Sequence, residues 1–106
     1  MWLGMSNAFL SIVAHRDKPD HLLVRARKKG HIENIFPESG VTCTPDADYR
    51  YRAVIQRSIV SQVISAQIES TNYDNFKNSV NDSGLHDAYM DMWGTMYLYQ
   101  NKNFIL

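Results

Sequence analysis

The chain reads HLLVRAR over residues 21–27 and YRYRAVI over residues 49–55, and in both segments apolar and polar side chains largely alternate. A period of two is typical of a β-strand, because successive side chains point to opposite faces of a sheet. In the first segment, Val24 and Ala26 share one face while Arg25 shares the other with its alternate neighbours. The pattern predicts strands that bury one face in a core and turn arginines away from it.

Two earlier apolar runs predict a hairpin in front of these strands. Residues 2–5 and 9–15 flank Ser6-Asn7, a dipeptide suited to a turn. The polar segment 16–20, which contains Pro19, separates the hairpin from the strand at residue 21. The predicted sheet therefore has about four strands. On the fourth strand, we expect Tyr49 and Tyr51 to share the core face.

Helical periodicity appears in the remaining segments. Residues 30–36 predict a short helix, and beyond Ser58, the expected N-cap, apolar residues recur with a period near 3.6. Two further helices are predicted, for residues 72–80 and 85–100. The order β-β-β-α-β-α-α-α predicts one α+β domain over residues 1–106, with an antiparallel sheet and helices packed on one of its faces. The last residues, 102–106, either fray or add an edge strand.

Composition excludes several classes of protein. With 106 residues and 44% hydrophobic side chains, the chain can build one core, which excludes a disordered protein. Eleven basic and eleven acidic residues exclude a uniformly charged nucleic-acid coat or acidic mimic. The charge is nevertheless uneven, since residues 1–57 hold nine basic and six acidic residues and residues 58–106 hold two and five. The predicted strand-rich half is basic and the predicted helical half acidic.

The single Cys43 excludes an internal disulfide and a zinc ribbon, and it favours a cytoplasmic setting. Residues 1–13 are apolar but lack the basic segment and cleavage pattern of a signal peptide. No uncharged stretch is apolar enough to span a bilayer. We therefore expect a cytoplasmic protein with no membrane partner.

A basic surface is the strongest functional feature. If the two alternating strands share a sheet, we expect seven basic side chains on or beside the face opposite the core: Arg25, Arg27, Lys28, Lys29, His31, Arg50 and Arg52. Guanidinium forks suit phosphate or carboxylate oxygens, and their alternate-residue spacing of about 6.6 to 6.8 Å is close to a nucleotide repeat. The alternative is a solvated face of exposed ion pairs worth about 0 to 1 kcal/mol each. The expected core position of Tyr49 and Tyr51 weakens an interpretation based on base stacking.

The last predicted helix carries a wider apolar arc than docking on one sheet requires. Met90, Trp93 and Tyr97 form a second stripe beside the main one. These side chains either pack under the predicted helix 72–80 or contact another chain. We expect self-association as a homodimer, or another protein as partner.

The chain shows no motif that points to catalysis, a cofactor or a metal. Its glycines stand alone, no serine lies in a nucleophile elbow, and no histidine spacing imitates a zinc site. The sequence therefore favours a non-catalytic binding protein that needs no cofactor and no metal. Two alternatives stay open. One is a nuclease-like enzyme in which arginines hold phosphate and His21 or His31 moves a proton; the other is an accessory protein that binds nucleic acid.

Several segments together resemble a family of small bacterial and phage proteins of about this length. They cover most of the chain and include VRAR at 24–27, ADYRYR at 47–52, NYDNFK at 72–77 and HDAYMDMWGTMYLYQ at 86–100. The resemblance implies a place in the mobile or accessory genome, on a phage, a plasmid or a gene cassette. It implies no activity, cofactor or catalytic residue.

Overall fold

Five antiparallel strands and two helices make up residues 1–72 in the computed structural model, which describes residues 1–102 of the chain. The strands are β1 (Trp2–Met5), β2 (Ala8–Ala14), β3 (His21–Ala26), β4 (Thr42–Cys43) and β5 (Tyr51–Gln56), in the sheet order β1-β2-β3-β5-β4. The helices are α1 (Lys29–Ile35) and α2 (Arg57–Glu69). The predicted α+β class and antiparallel sheet are confirmed. The additional strand β4 has two residues, too few to show alternation in the sequence.

The core lies on the sheet face that α1 and α2 cover. Val24 on β3 pairs with Ile12 on β2 and with Ala53 on β5, and all three are buried. Ile32 of α1 and Val60 of α2 belong to the same cluster of buried side chains. Burial of one such aliphatic side chain stabilises the fold by about 1.5 to 3 kcal/mol. These contacts confirm the predicted core parity of β3 and place both helices on one face.

The start of α2 differs from the prediction. The helix follows β5 directly and begins at Arg57, and its N-cap is Gln56, whose side chain makes no capping hydrogen bond. The Arg57 N–H donates to the carbonyl of Asp20, and its guanidinium Nε donates to the carbonyl of Pro19. The turn between β2 and β3 therefore holds this helix end, and the prediction of Ser58 as N-cap is wrong.

The residues from Tyr73 onward form a second compact unit. It contains a 3₁₀ turn, Lys77–Ser79, and the helix α3, Ser83–Asn101, whose N-cap Asp82 accepts a 2.8 Å hydrogen bond from the Leu85 N–H. The Phe76 ring lies 5.0 Å from the Tyr89 ring, between their centroids. Aromatic packing thus joins the segment at the start of the turn to α3 within this unit.

The predicted helix over residues 72–80 is wrong, because only the 3₁₀ turn forms there. Asn75 accepts a hydrogen bond from the Asn78 N–H, and the Ser79 hydroxyl donates to the Phe76 carbonyl. Such local side-chain bonds compete with helix formation. The single-domain organisation stays a prediction, and the alternatives for the chain end concern residues 103–106, outside the described residues. Along residues 1–102, no helix has the length and apolarity needed to cross a membrane.

Candidate anion-binding face

One row of side chains crosses the sheet on the face opposite the helices. The strand registers pair Trp2 with Ser11, Ser11 with Arg25, and Arg25 with Arg52. Directly paired residues in antiparallel strands point to the same side of the sheet. Since the neighbours of Arg25 along β3 point into the core, this row points away from it. Together with two side chains packed on the row, it forms what we call the arginine face: Trp2, Ser11, Arg25, Arg27, Tyr49 and Arg52.

Arg25 and Arg52 are directly opposed like charges. The Arg25 Nη2 donates to the Ser11 hydroxyl at 2.7 Å, while its Nε is buried and has no hydrogen-bond partner among the described residues. The Arg52 Nε donates to the Tyr49 carbonyl at 3.3 Å, and its Nη2 lies 3.5 Å from the Asp48 carboxylate, which is 72% exposed. Like charges in this position destabilise a sheet. The two arginines have little compensating negative charge, because the neighbouring Asp48 carboxylate is largely exposed to solvent.

Tyr49 packs against two arginines. The guanidinium carbon of Arg27 lies 4.2 Å from the Tyr49 ring centroid and that of Arg25 lies 4.6 Å from it, both in cation–π geometry. The Tyr49 side chain is only 5% exposed. These contacts restrict both guanidinium groups before any partner binds.

The prediction that Tyr49 lies on the core face is wrong, whereas Tyr51 packs against the core as predicted. Strand β5 begins only at Tyr51, so the alternation does not extend back to residue 49. The Tyr49 N–H instead donates to the Asp48 side chain at 2.9 Å. This local bond belongs to the turn before the strand and directs Tyr49 to the arginines.

The surroundings of Tyr49 also change its acidity. Burial by itself raises the pKa of the phenol, but hydrogen bonds with Ser11 and Arg27 and the positive charge of Arg27 lower it more strongly. A hydrogen bond with Trp2 acts in the same direction. The net result is a pKa of Tyr49 below its ordinary value, because the neighbours stabilise the phenolate.

The other predicted members of the basic surface lie on α1, at its N-cap, or just before β5. His31 is on α1, the helix on the core face, and its Nδ1 accepts the Phe9 N–H at 3.2 Å. Lys29 lies 3.9 Å from the Glu33 carboxylate on the same helix, and Lys28 is the exposed N-cap. Arg50 is exposed and precedes β5. The structure thus brings together Arg25, Arg27 and Arg52, and it places His31 and Lys29 on α1.

The remaining histidines of this unit take part in local turns. His21 Nδ1 lies 2.7 Å from the Asp20 carboxylate, and this hydrogen bond lowers the pKa of Asp20. His15 Nδ1 accepts the N–H groups of Asp17 and Lys18. His21 is four residues before Arg25 on β3, about 13 Å along the strand. These positions give the nuclease-like alternative no support. Within the described chain, no three metal-binding side chains are grouped to hold a metal ion.

The predicted interface residues lie on α3 in the second unit. The rings of Trp93 and Tyr97 stack 5.3 Å apart with an interplanar angle of 10°, and the Lys77 ammonium lies 4.6 Å from the Trp93 ring centroid. Trp93 is still 53% exposed and Met90 is 39% exposed. Other large apolar side chains of α3 share this exposure, namely Met92, Met96, Leu98 and Tyr99.

Sequence reasoning missed three members of the arginine face: Trp2, Ser11 and Tyr49. The pairing of Trp2 with Ser11 was predictable from the sequence, because a two-residue turn at Ser6-Asn7 pairs Met5 with Ala8 and hence residue 2 with residue 11. The position of Tyr49 was not predictable from the sequence, since it depends on where β5 begins.

The fold and this site define an α+β protein whose antiparallel sheet has one face under helices and one face bearing arginines. Compared with known proteins, the chain matches no family model, no curated protein and no solved structure. A function for this chain has therefore to come from its own residues.

Proposed function

We propose that the protein is a non-catalytic binding protein whose arginine face holds an anionic group of its partner. The observation that carries this proposal is the direct pairing of Arg25 with Arg52, with the exposed Asp48 as the neighbouring carboxylate. A phosphate or carboxylate placed over the pair relieves their mutual repulsion and satisfies guanidinium donors. Binding therefore gains from removing an unfavourable contact as well as from forming a new one.

Preorganisation supports the same function. Arginine loses side-chain entropy when it is immobilised, which weakens binding. In this face, Tyr49 restricts Arg25 and Arg27 in the free protein, and Ser11 fixes the end of Arg25. A partner anion therefore meets groups that are already positioned.

Titration with inorganic polyphosphate, a simple polyanion, tests this function. We expect calorimetric binding to the full chain at low salt, and a loss of at least about tenfold in affinity for Arg25→Gln combined with Arg52→Gln, since one charge-assisted hydrogen bond contributes about 1.5 to 3 kcal/mol. Arg16→Gln combined with Lys18→Gln removes the same two charges from the exposed turn after β2 and serves as the matched control. Equal affinity of the wild type and the double variant would refute the function.

A second candidate function is self-association through α3. The stacked, half-exposed Trp93 and Tyr97 favour it, because aromatic and methionine side chains are enriched in interfaces. A second copy of the chain would place one such stripe against another. Light scattering tests this: Trp93→Asp should convert a dimer to a monomer, whereas Ile68→Asp, at a more exposed apolar site on α2, should not. A monomeric wild type would exclude it.

The cytoplasmic setting and the place in the accessory genome belong to the same proposal. The free, exposed thiol of Cys43 is compatible with a reducing compartment. The resemblance to phage and cassette proteins is tested by the neighbouring genes. Phage, plasmid or cassette genes on both sides would support it, and a conserved metabolic operon would contradict it.

A further inference from the structure

We propose that the anionic partner is a single-stranded nucleic acid, with Trp2 stacking on a base while Arg25 and Arg52 hold neighbouring phosphates. This inference rests on the proposed anion-binding function and adds the class of partner. It depends on the exposure of Trp2, on the spacing of the row that crosses the sheet, and on the chemistry that separates a nucleic acid strand from other anions.

Trp2 offers an aromatic surface at one end of the arginine face. Its side chain is 66% exposed, and its ring meets the Phe9 ring at 5.9 Å and an angle of 66°. This edge-on contact fixes the indole while leaving ring surface open to solvent. Nucleic-acid bases stack on such exposed rings whatever their sequence. Tyr49 is already buried against arginines, so the stacking residue is Trp2.

The distances from Trp2 to the two arginines suit a nucleic-acid strand that stacks a base on Trp2 and extends its phosphates across the sheet. Adjacent strands are about 4.8 Å apart, so Trp2 lies about 10 Å from Arg25 and about 14 Å from Arg52 across the sheet. Ser11 occupies the position between Trp2 and Arg25. A strand whose base stacks on Trp2 can therefore run over Ser11 and place its next phosphates at the arginines.

The indole distinguishes this partner from other anions. A duplex keeps its bases stacked on each other, so it presents no free base to Trp2. An acidic protein or a bare polyanion uses the arginines alone. A contribution of Trp2 to binding therefore indicates that the partner is a single-stranded nucleic acid. With three arginines on the face, the site spans only a few nucleotides.

The test compares short oligonucleotides with polyphosphate on the full chain. Fluorescence anisotropy is measured with single-stranded RNA and DNA of one sequence, with the matching duplex, and with polyphosphate as competitor. We expect single strands to bind more tightly than the duplex. Trp2→Ala should weaken single-strand binding about five- to hundredfold and leave polyphosphate binding unchanged, since one stacked base has that effect. Ile68→Ala removes an apolar side chain of similar exposure from α2, on the opposite side of the sheet, and as the matched control it should bind as the wild type does.

A second measurement covers the case in which Trp2→Ala does not fold. In the Trp93→Phe variant, Trp2 is the sole fluorophore of its kind, and single-stranded RNA should quench it whereas polyphosphate should not. Equal affinities for duplex and single strand, or no quenching of Trp2 by RNA, would overturn the single-strand inference while anion binding still stands. Failure of every anion to bind would overturn both.

Discussion

Arg25 and Arg52 lie directly opposite each other on β3 and β5, and the ring of Tyr49 packs against Arg25 on the same face. The pairing concentrates positive charge on one face of a chain whose formal net charge is zero. Like charges in this register cost about 0.2 to 1 kcal/mol. This repulsion predicts how the stability of the free protein depends on salt.

The free protein should become more stable as salt increases at low ionic strength. The Debye length falls from about 30 Å at 0.01 M to about 8 Å at 0.15 M, so salt screens the repulsion between Arg25 and Arg52. Urea denaturation across this range should show a rise of a few tenths of a kcal/mol. Arg52→Gln should reduce the salt dependence, and Arg16→Gln should leave it as it is. A larger salt dependence in Arg52→Gln would contradict this electrostatic interpretation.

Tyr49 should titrate at a lower pH than an ordinary tyrosine does. Its pKa is lowered in the folded state, so folding favours the phenolate, and the resulting stabilisation is present above the unfolded pKa of about 10 and is lost as pH falls through the folded value. Phenolate absorbance should therefore show an ionisation step for Tyr49 that begins below the ordinary tyrosine pKa of about 10. Tyr49→Phe should remove this early step, and Arg27→Gln should move it to higher pH. An unchanged titration curve in Tyr49→Phe would show that another tyrosine ionises early.

Leu10→Ala should be among the most destabilising substitutions. Leu10 is fully buried and pairs with Leu3 on β1, so truncation leaves a cavity in the core. We expect a loss of about 2 to 5 kcal/mol in the free energy of unfolding, measured with urea. Leu98→Ala, at a site 72% exposed, should change it by less than about 0.5 kcal/mol. Similar losses in both variants would contradict the assigned core.

Asp82→Ala should destabilise α3. The Asp82 carboxylate accepts the Leu85 N–H at 2.8 Å, and loss of such a cap costs about 0.5 to 2 kcal/mol. Thermal denaturation followed by circular dichroism should show the loss. Ser58→Ala is the matched control, because Ser58 resembles an N-cap in the sequence but lies inside α2. A larger effect at Ser58 than at Asp82 would contradict the helix starts described above.

Alternation over residues 21–27 was enough to predict the core parity of β3, because both faces of that strand are regular. In β5, the faces of the side chains were predictable from Tyr51 onward. The residues before Tyr51 belong to a turn, and its hydrogen bonds rather than strand alternation set their orientation. The helix over 72–80 failed for a related reason: Asn75 and Ser79 bond to the local backbone, which periodicity does not report.

The candidate site was predictable in part. The sequence predicted that Arg25 and Arg52 share a face, yet their direct pairing needs the register between β3 and β5, which no turn fixes because residues 27–50 separate the two strands. His31 was misplaced because the short helix that contains it packs Ile32 and Ile35 into the core, on the face opposite the arginines, and the sequence does not show on which face that helix packs. The position of Trp2 in the row could be predicted from the register of the first hairpin alone.

The salt dependence of binding to single-stranded RNA tests the arginine face most directly. Two phosphate contacts, at Arg25 and Arg52, predict that the logarithm of the association constant falls with the logarithm of salt concentration with a slope of about −1.4, and that Arg52→Gln reduces its size by about 0.7. Arg16→Gln should leave the slope unchanged. A slope near zero in the wild type, or the same slope in Arg52→Gln as in the wild type, would contradict binding through this face.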